Sequence, residues 1–274
     1  MSDESNSESG ITAYALRISD AEVERYQLMA RRAVRAEAEV WAECGIGPGA
    51  RIVDLGCGPG AVSVEMARLV GAAGAVVGVD QDAPSLAAAE ELGRRAGVGN
   101  VEWVHADAAD TGLPSGFDVV MVRHVLVHAG SQINAIIGHA IALLRPGGCL
   151  YVMDGDAAAL RFDPVDVDFA DLYARYAEFH ARAGKALALG PQLGSILRAA
   201  GLEVIHRHGG YEVVSPVLGG GGPWAARDAM VAAGMATPDD LARWQRAIER
   251  VAADPGSALF APRFAAAGRK AASA

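Results

Sequence analysis

Between Arg51 and Met153 the sequence alternates short apolar runs with helical stretches, and this rhythm restricts the fold more than any other feature. Arg51–Leu55, Ala75–Val79, Val101–His105, Phe117–Val122 and Cys149–Met153 read as strands, with helices predicted at Ala61–Val70, Pro84–Ala96 and Gln132–Leu144. Apolar runs without polar alternation need cover on both faces, so the pattern predicts an α/β fold with a parallel, doubly wound sheet. The 51% hydrophobic content is enough for such a core, and it excludes disorder of the whole chain.

Outside this block the periodicity changes. Asp20–Cys44 predicts one amphipathic helix, capped by Ser19 or Asp20 and stopped by Gly45. After Asp156, Pro164–Ala183 and Gln192–Ala200 read as helices and Glu203–His208 as a strand. Helices at Pro223–Ala233 and Pro238–Ala252, the second capped by Thr237, lead to a last apolar run at Ala258–Ala267. Gly219–Gly222 reads as a joint. The expected organisation is an acidic, disordered tail over 1–18 and a single domain over 19–274. Within it, 19–45 is the N-terminal helix, 46–156 the core, and 157–200 and 216–255 are helical insertions.

The 33 acidic against 24 basic side chains give a net charge of −9, which disfavours a phosphate backbone as partner. The first ten residues have neither the basic nor the apolar region of a secretory signal, and no apolar run reaches the roughly 18 residues of a membrane helix. Cys44, Cys57 and Cys149 cannot form a disulfide framework, and a reducing cytoplasm is expected.

The sharpest local motif is Asp54-Leu55-Gly56-Cys57-Gly58-Pro59-Gly60, set between a strand and a helix. Glycines there permit positive φ and a close ligand approach. By spacing alone, Gly56, Gly58 and Ala61 with Asp80 also satisfy a dinucleotide fingerprint, which keeps a nicotinamide-dependent oxidoreductase open. Asp54 argues otherwise, because it would repel a pyrophosphate and attract a cation. Asp80 and Asp107 follow at the ends of the next two strands, so three carboxylates line the sheet edge where such folds bind ligands.

Gly49–Gly60, Val79-Asp80, Ala106-Asp107-Ala108 and Leu144-Arg145-Pro146-Gly147-Gly148 together resemble the ordered motifs of class I S-adenosylmethionine-dependent methyltransferases, closely over 46–154. The resemblance implies a Rossmann-like, seven-stranded, mostly parallel sheet whose antiparallel last strand, Ala258–Ala267, inserts between the fifth and the sixth. It implies S-adenosyl-L-methionine as cofactor, with S-adenosyl-L-homocysteine as product. Asp54 and the backbone of Gly56, Gly58 and Gly60 would meet the methionine portion, with Arg123 beside it. Asp80 would hold the ribose hydroxyls, Gln81 would flank the adenine, and Asp107 and Ala108 would read its edge.

Methyl transfer needs an aligned nucleophile and a route for its proton. His124 and His128, a helical turn apart if the stretch is helical, are the expected general bases, with His128 preferred. The acidic run from Asp154 to Asp171 matches no metal spacing and reads as helix-start charge, with Asp163 as N-cap. Tyr14, Tyr26, Trp41, Tyr173, Tyr176, Phe179 and His180 are candidate lid residues. The expected acceptor is a small molecule with an oxygen, nitrogen or carbon nucleophile, including those of natural-product tailoring. A protein of this fold that binds the cofactor without transferring the methyl group is the alternative from another class. Neither nucleic acid nor membrane is an expected partner, and monomer and homodimer stay equally open.

Overall fold

A computed structural model of the chain describes residues 20–214 and 221–272. Helices α1 (Asp20–Ala36) and α2 (Ala38–Cys44) precede strand β1 (Arg51–Leu55). The core then runs through α3 (Ala61–Val70), β2 (Ala75–Asp80), α4 (Ala83–Ala96), β3 (Val101–His105), β4 (Phe117–Arg123), α5 (Leu126–Ala129), α6 (Ile133–Leu143) and β5 (Leu144–Gly155). Beyond it lie β6 (Arg161–Asp163), α7 (Val167–Arg182), α8 (Leu193–Ala199), β7 (Glu203–Val214), α9 (Gly221–Ala225), α10 (Arg227–Ala232), α11 (Pro238–Ala253) and β8 (Ala258–Arg269).

The strands form one sheet in which β3, β2, β1, β4 and β5 lie side by side and parallel. β8 runs antiparallel between β5 and β7, as the resemblance implies. The sheet has eight strands rather than seven. The added β6 is three residues long and pairs with Ala258–Phe260 of β8, just beyond the stretch paired with β5. No local pattern announces a strand that short, since only its pairing with β8 defines it.

Residue alternation along the central strands sends side chains into two separate cores. Val53, Leu55, Val120, Val122, Leu150 and Val152 meet α6 and α8 on one face. Ile52, Val119, Met121, Cys149, Tyr151 and Met153 meet Trp41 of α2 and Met66 and Val70 of α3 on the other. Burial of both faces explains the continuous apolar runs. Leu126–Leu143 is apolar and long enough to pass as a membrane span. A 3-10 turn at Gly130–Gln132 interrupts it, and Ile136, Ile137, Ala140 and Leu143 pack into the core.

Several expected boundaries move. The single N-terminal helix is broken at Glu37, where φ is −116° and ψ is 8°. The N-cap of α7 is Asp166, whose Oδ1 accepts from Asp168 N and Phe169 N, and not Asp163. Helix Pro223–Ala233 divides into α9 and α10, and the strand from Glu203 extends to Val214. The 1–18 tail, Tyr14, Ser19, and Gly219 and Gly220 lie outside the described residues. Gly221 and Gly222 open α9.

The late helices pack on one another, with Leu172 and Phe179 of α7 against Met230 and the fully buried Trp244. Arg243 donates to Asp168, Asp171 and Asp240, and Arg250 donates to Asp166 and Asp168. Asp166, Asp168 and Asp171 of the acidic run thus face arginines of α11. Among the described residues no three His, Cys, Asp or Glu side chains gather as a metal site.

Candidate functional site

The order β3-β2-β1-β4-β5 reverses direction between β1 and β4, and the crevice at such a switch point is where open α/β sheets bind ligands. A cavity of 730 Å³ opens there, within the range of small-molecule sites. Asp54, Gly56 and Gly58 line its floor, Asp80 and Gln81 follow from the end of β2, and Asp107 and Ala108 from the loop after β3. Arg123, His124 and His128 line the opposite wall. The cavity therefore gathers every expected site residue except Gly60.

Gly60 sits behind the wall. It starts α3 at φ 74°, and a Cβ there would come within 2.5 Å of the Trp103 ring. Gly58 has φ 55° and open space where its Cβ would be. Of these two glycines, then, one serves packing and the other leaves the loop open to a ligand.

Asp54 is 2% exposed, and its Oδ2 accepts from the Ser63 hydroxyl at 2.6 Å. Burial pushes its carboxyl up to about 6, although Ser63 and the Arg123 charge both favour ionisation. Asp80 ties two loops together, its Oδ2 accepting from Gly58 N at 2.7 Å and its Oδ1 from Asp82 N at 2.9 Å. Each oxygen keeps a lone pair for a further donor. Desolvation raises its pKa, and the backbone donors partly offset that. Asp107 is exposed, and its Oδ1 accepts from Ala109 N at 2.8 Å. Cys57 lines the cavity, and burial pushes its thiol up, so it stays protonated.

Arg123 reaches away from the carboxylates. Its guanidinium donates to Glu37 Oε2 at the break between α1 and α2. The Tyr151 hydroxyl and Trp41 Nε1 donate to the same oxygen, the latter at 3.1 Å. Glu37 thus fastens the N-terminal helices to the end of β4, while Tyr26 and Met29 of α1 line the cavity. Trp41 is core, edge-on to Tyr151, and not part of a lid.

The two histidines do not share a helix face. His124 lies before α5 at φ 55°, and a left-handed conformation costs a non-glycine residue about 1–2 kcal/mol. Its Nδ1 lies 3.9 Å from Asp154 Oδ1, and its Nε2 is buried without a hydrogen-bond partner among the described residues. Desolvation, then the charges of Arg263 and Arg123, hold its pKa well below the ordinary imidazole range. Asp154 is 0% exposed, and burial raises its carboxyl to about 8. The backbone N–H groups of Leu126 and Val127 favour its charge without reaching hydrogen-bond geometry. His128 packs edge-on to His180, with centroids 5.4 Å apart, and burial and the nearby Lys185 lower it to about 4.

Of the other lid candidates, Tyr173 packs against Phe162 and Phe169, and Tyr176 and Phe179 pack against His180. The body of α7 does not line the cavity; its end and the turn after it do, through Arg182, Ala183 and Lys185. Sequence reasoning missed Arg182, Lys185 and Glu37. The charged Glu37 amid apolar helix positions was the one available signal.

The matching family model and the curated relatives are methyltransferases. Residues 52–148 match the family model described as "Methyltransferase domain". An arsenite methyltransferase of Aquipseudomonas alcaligenes is 35% identical over 113 residues, which cover 39% of this chain and 33% of that protein. The nocamycin O-methyltransferase of Saccharothrix syringae is 34% identical over 101 residues, covering 37% and 36%. A ubiquinone biosynthesis O-methyltransferase of Burkholderia thailandensis is 28% identical over 166 residues, covering 59% and 68%. The chain thus spans about a third of the first two relatives. Among solved structures, the protein BH2331 of Bacillus halodurans, described as a methyltransferase, has a TM-score of 0.58 at 19% identity, covering 85% of this chain and 98% of that one. The cyclase SpnF has a TM-score of 0.56 at 23% identity, covering 88% and 82%. At those identities the structures show a shared fold.

Proposed function

With its methyltransferase domain at residues 52–148, the chain belongs to the class I S-adenosylmethionine-dependent methyltransferase family, and we propose that it methylates an oxygen, nitrogen or carbon nucleophile of a small molecule. One observation carries the reading. The carboxylates of Asp54, Asp80, Asp82 and Asp107 line one side of a cavity that also holds the open Gly58 loop. That charge favours a cationic cofactor and opposes the pyrophosphate of a nicotinamide dinucleotide.

The residues present fit S-adenosyl-L-methionine, which when bound supplies an electrophilic methyl group on a sulfonium. Asp54 and the backbone of Gly56 and Gly58 would hold its methionine portion, with Arg123 behind them. Asp80 would accept from the ribose hydroxyls, while Gln81, Asp107 and Ala108 would surround the adenine. The acceptor would approach from the side of His124 and His128. Both imidazoles are neutral at pH 7 and either could accept the proton that the nucleophile loses as its bond to carbon forms, while burial makes each a weaker base than a free imidazole.

We further take residues 19–274 as one functional unit, because β8 completes the sheet that carries the site. Free thiols at Cys44, Cys57 and Cys149 support a reducing, cytoplasmic setting. Natural-product tailoring is the setting we favour for the acceptor, on the likeness to the nocamycin enzyme.

Calorimetric titration of stripped protein with S-adenosylmethionine, S-adenosylhomocysteine and nicotinamide dinucleotides tests the proposal. Micromolar binding of the two sulfur nucleosides alone is expected. Binding of a dinucleotide alone would overturn it.

A further inference from the structure

The cavity is electrically divided. Its carboxylates come from the ends of β1, β2 and β3, whereas its cations, Arg123, Arg182 and Lys185, come from β4 and the end of α7. Two of those cations are already paired, Arg123 with Glu37 and Arg182 with Glu178. Lys185 has no ion pair or side-chain hydrogen bond among the described residues, although it is half-buried and lines the cavity.

Its position is built. Helix α7 ends at Arg182 with Ala183 as its C-cap, Gly184 takes φ 71°, and Lys185 N donates back to His180 O at 2.9 Å. A Cβ on Gly130 would stand 3.2 Å from Gly184 O, so the turn after α5 lies against the turn after α7. That contact sets Lys185 beside His128, and Gln132 from the same segment also lines the cavity. Desolvation lowers the Lys185 pKa, as expected for a cation without a counter-charge.

We propose that Lys185 is the anchor of an acceptor subsite that takes a carboxylate, so the substrate is a monoanionic acid methylated elsewhere on its skeleton. The inference rests on the methyltransferase reading and deepens it. One ammonium with one amide neighbour matches a monoanion, whereas a phosphate dianion calls for more donors. The anion would lie on the histidine side, away from the four carboxylates that would repel it.

The test uses the full chain saturated with S-adenosylhomocysteine and two pairs of probes, 4-hydroxybenzoate with 4-hydroxybenzamide and octanoate with octanamide. Binding is read by ligand-observed NMR in the wild type, Lys185→Met and Lys185→Arg. At least one acid should bind more tightly than its amide. Lys185→Met should shrink that preference about tenfold, as loss of one charge-assisted hydrogen bond predicts, and Lys185→Arg should keep most of it. Absence of any acid preference in the wild type overturns the inference, as does a preference that survives Lys185→Met. Calorimetry with S-adenosylhomocysteine separates the two readings. Unchanged affinity in Lys185→Met is expected, and a large fall would give Lys185 to the cofactor's own carboxylate and refute the acceptor subsite. Failure of the nucleoside to bind the wild type would instead strike the methyltransferase reading.

Discussion

Glu37→Leu should be among the most damaging single substitutions in this chain. The side chains of Glu37 and Arg123 are only 13% and 6% exposed, and Glu37 Oε2 also accepts from Tyr151 and Trp41. Removing the carboxylate leaves a buried guanidinium uncompensated and two donors unsatisfied. Breaking a buried pair from one side costs about 3–5 kcal/mol. For a chain of this length that lowers Tm by about 5–10 °C. Removing both charges leaves neither ion stranded, so Glu37→Leu with Arg123→Met should recover the part of the loss that the lone guanidinium causes, while the Tyr151 and Trp41 donors stay unsatisfied. Thermal and urea denaturation of the unliganded protein, with both single variants and the double, measure each step. The argument is refuted if Glu37→Leu costs under about 1 kcal/mol, the range of an exposed pair, or if the double variant loses the sum of the singles.

Asp154 sets a pH dependence whose sign follows from its raised carboxyl. The folded state holds a proton up to about pH 8 that the unfolded chain releases near its ordinary pKa, so stability falls as pH rises between them. His124, His128 and His180 act oppositely, adding stability until the unfolded chain's imidazoles are neutral, about one unit above 6.5, so the difference between wild type and Asp154→Asn isolates Asp154. From about pH 6 to 8 the urea midpoint of the wild type should fall steadily relative to that of Asp154→Asn; equal slopes would refute the assignment. Asp80→Ala should weaken S-adenosylhomocysteine binding by about 1–3 kcal/mol, because it removes the ribose acceptor and frees Gly58 N. An unchanged dissociation constant would refute that role. Once an acceptor is found, His128→Ala should cut turnover roughly a hundredfold with nucleoside affinity nearly intact. Unaltered turnover where chemistry limits the rate would leave His124 as the candidate base.

Much of the fold is legible because its signals are local. Val119–Val122 and Leu150–Met153 are apolar without interruption, and that pattern fits only strands covered on both faces. Asp54, Asp80 and Asp107 are equally legible, since each lies at or just past the C-terminal end of its strand and parallel strands put those ends on one edge. What sequence reading misses depends on distant partners. Nothing near Glu37 disfavours a helix; the break accompanies a carboxylate that reaches Arg123, 86 positions away. Arg161–Asp163 is a strand only because Ala258–Phe260 pairs with it. Lys185 reaches the cavity through the contact of Gly130 with Gly184, two glycines that look like ordinary helix stops.

The place of β8 governs how the molecule can be made. Among the described strands of this sheet, the one between β5 and β7 is synthesised after all the others, so a nascent chain that has finished β1 to β7 still lacks the strand joining β5 to β7. Until residues 258–269 emerge, β5 and β7 present unpaired edges of the kind that capture a neighbouring chain. Sequence-distant pairing also slows folding, since closure of the long loop precedes any reward from contacts. Truncations before Ala258 should therefore yield aggregates rather than smaller folded proteins.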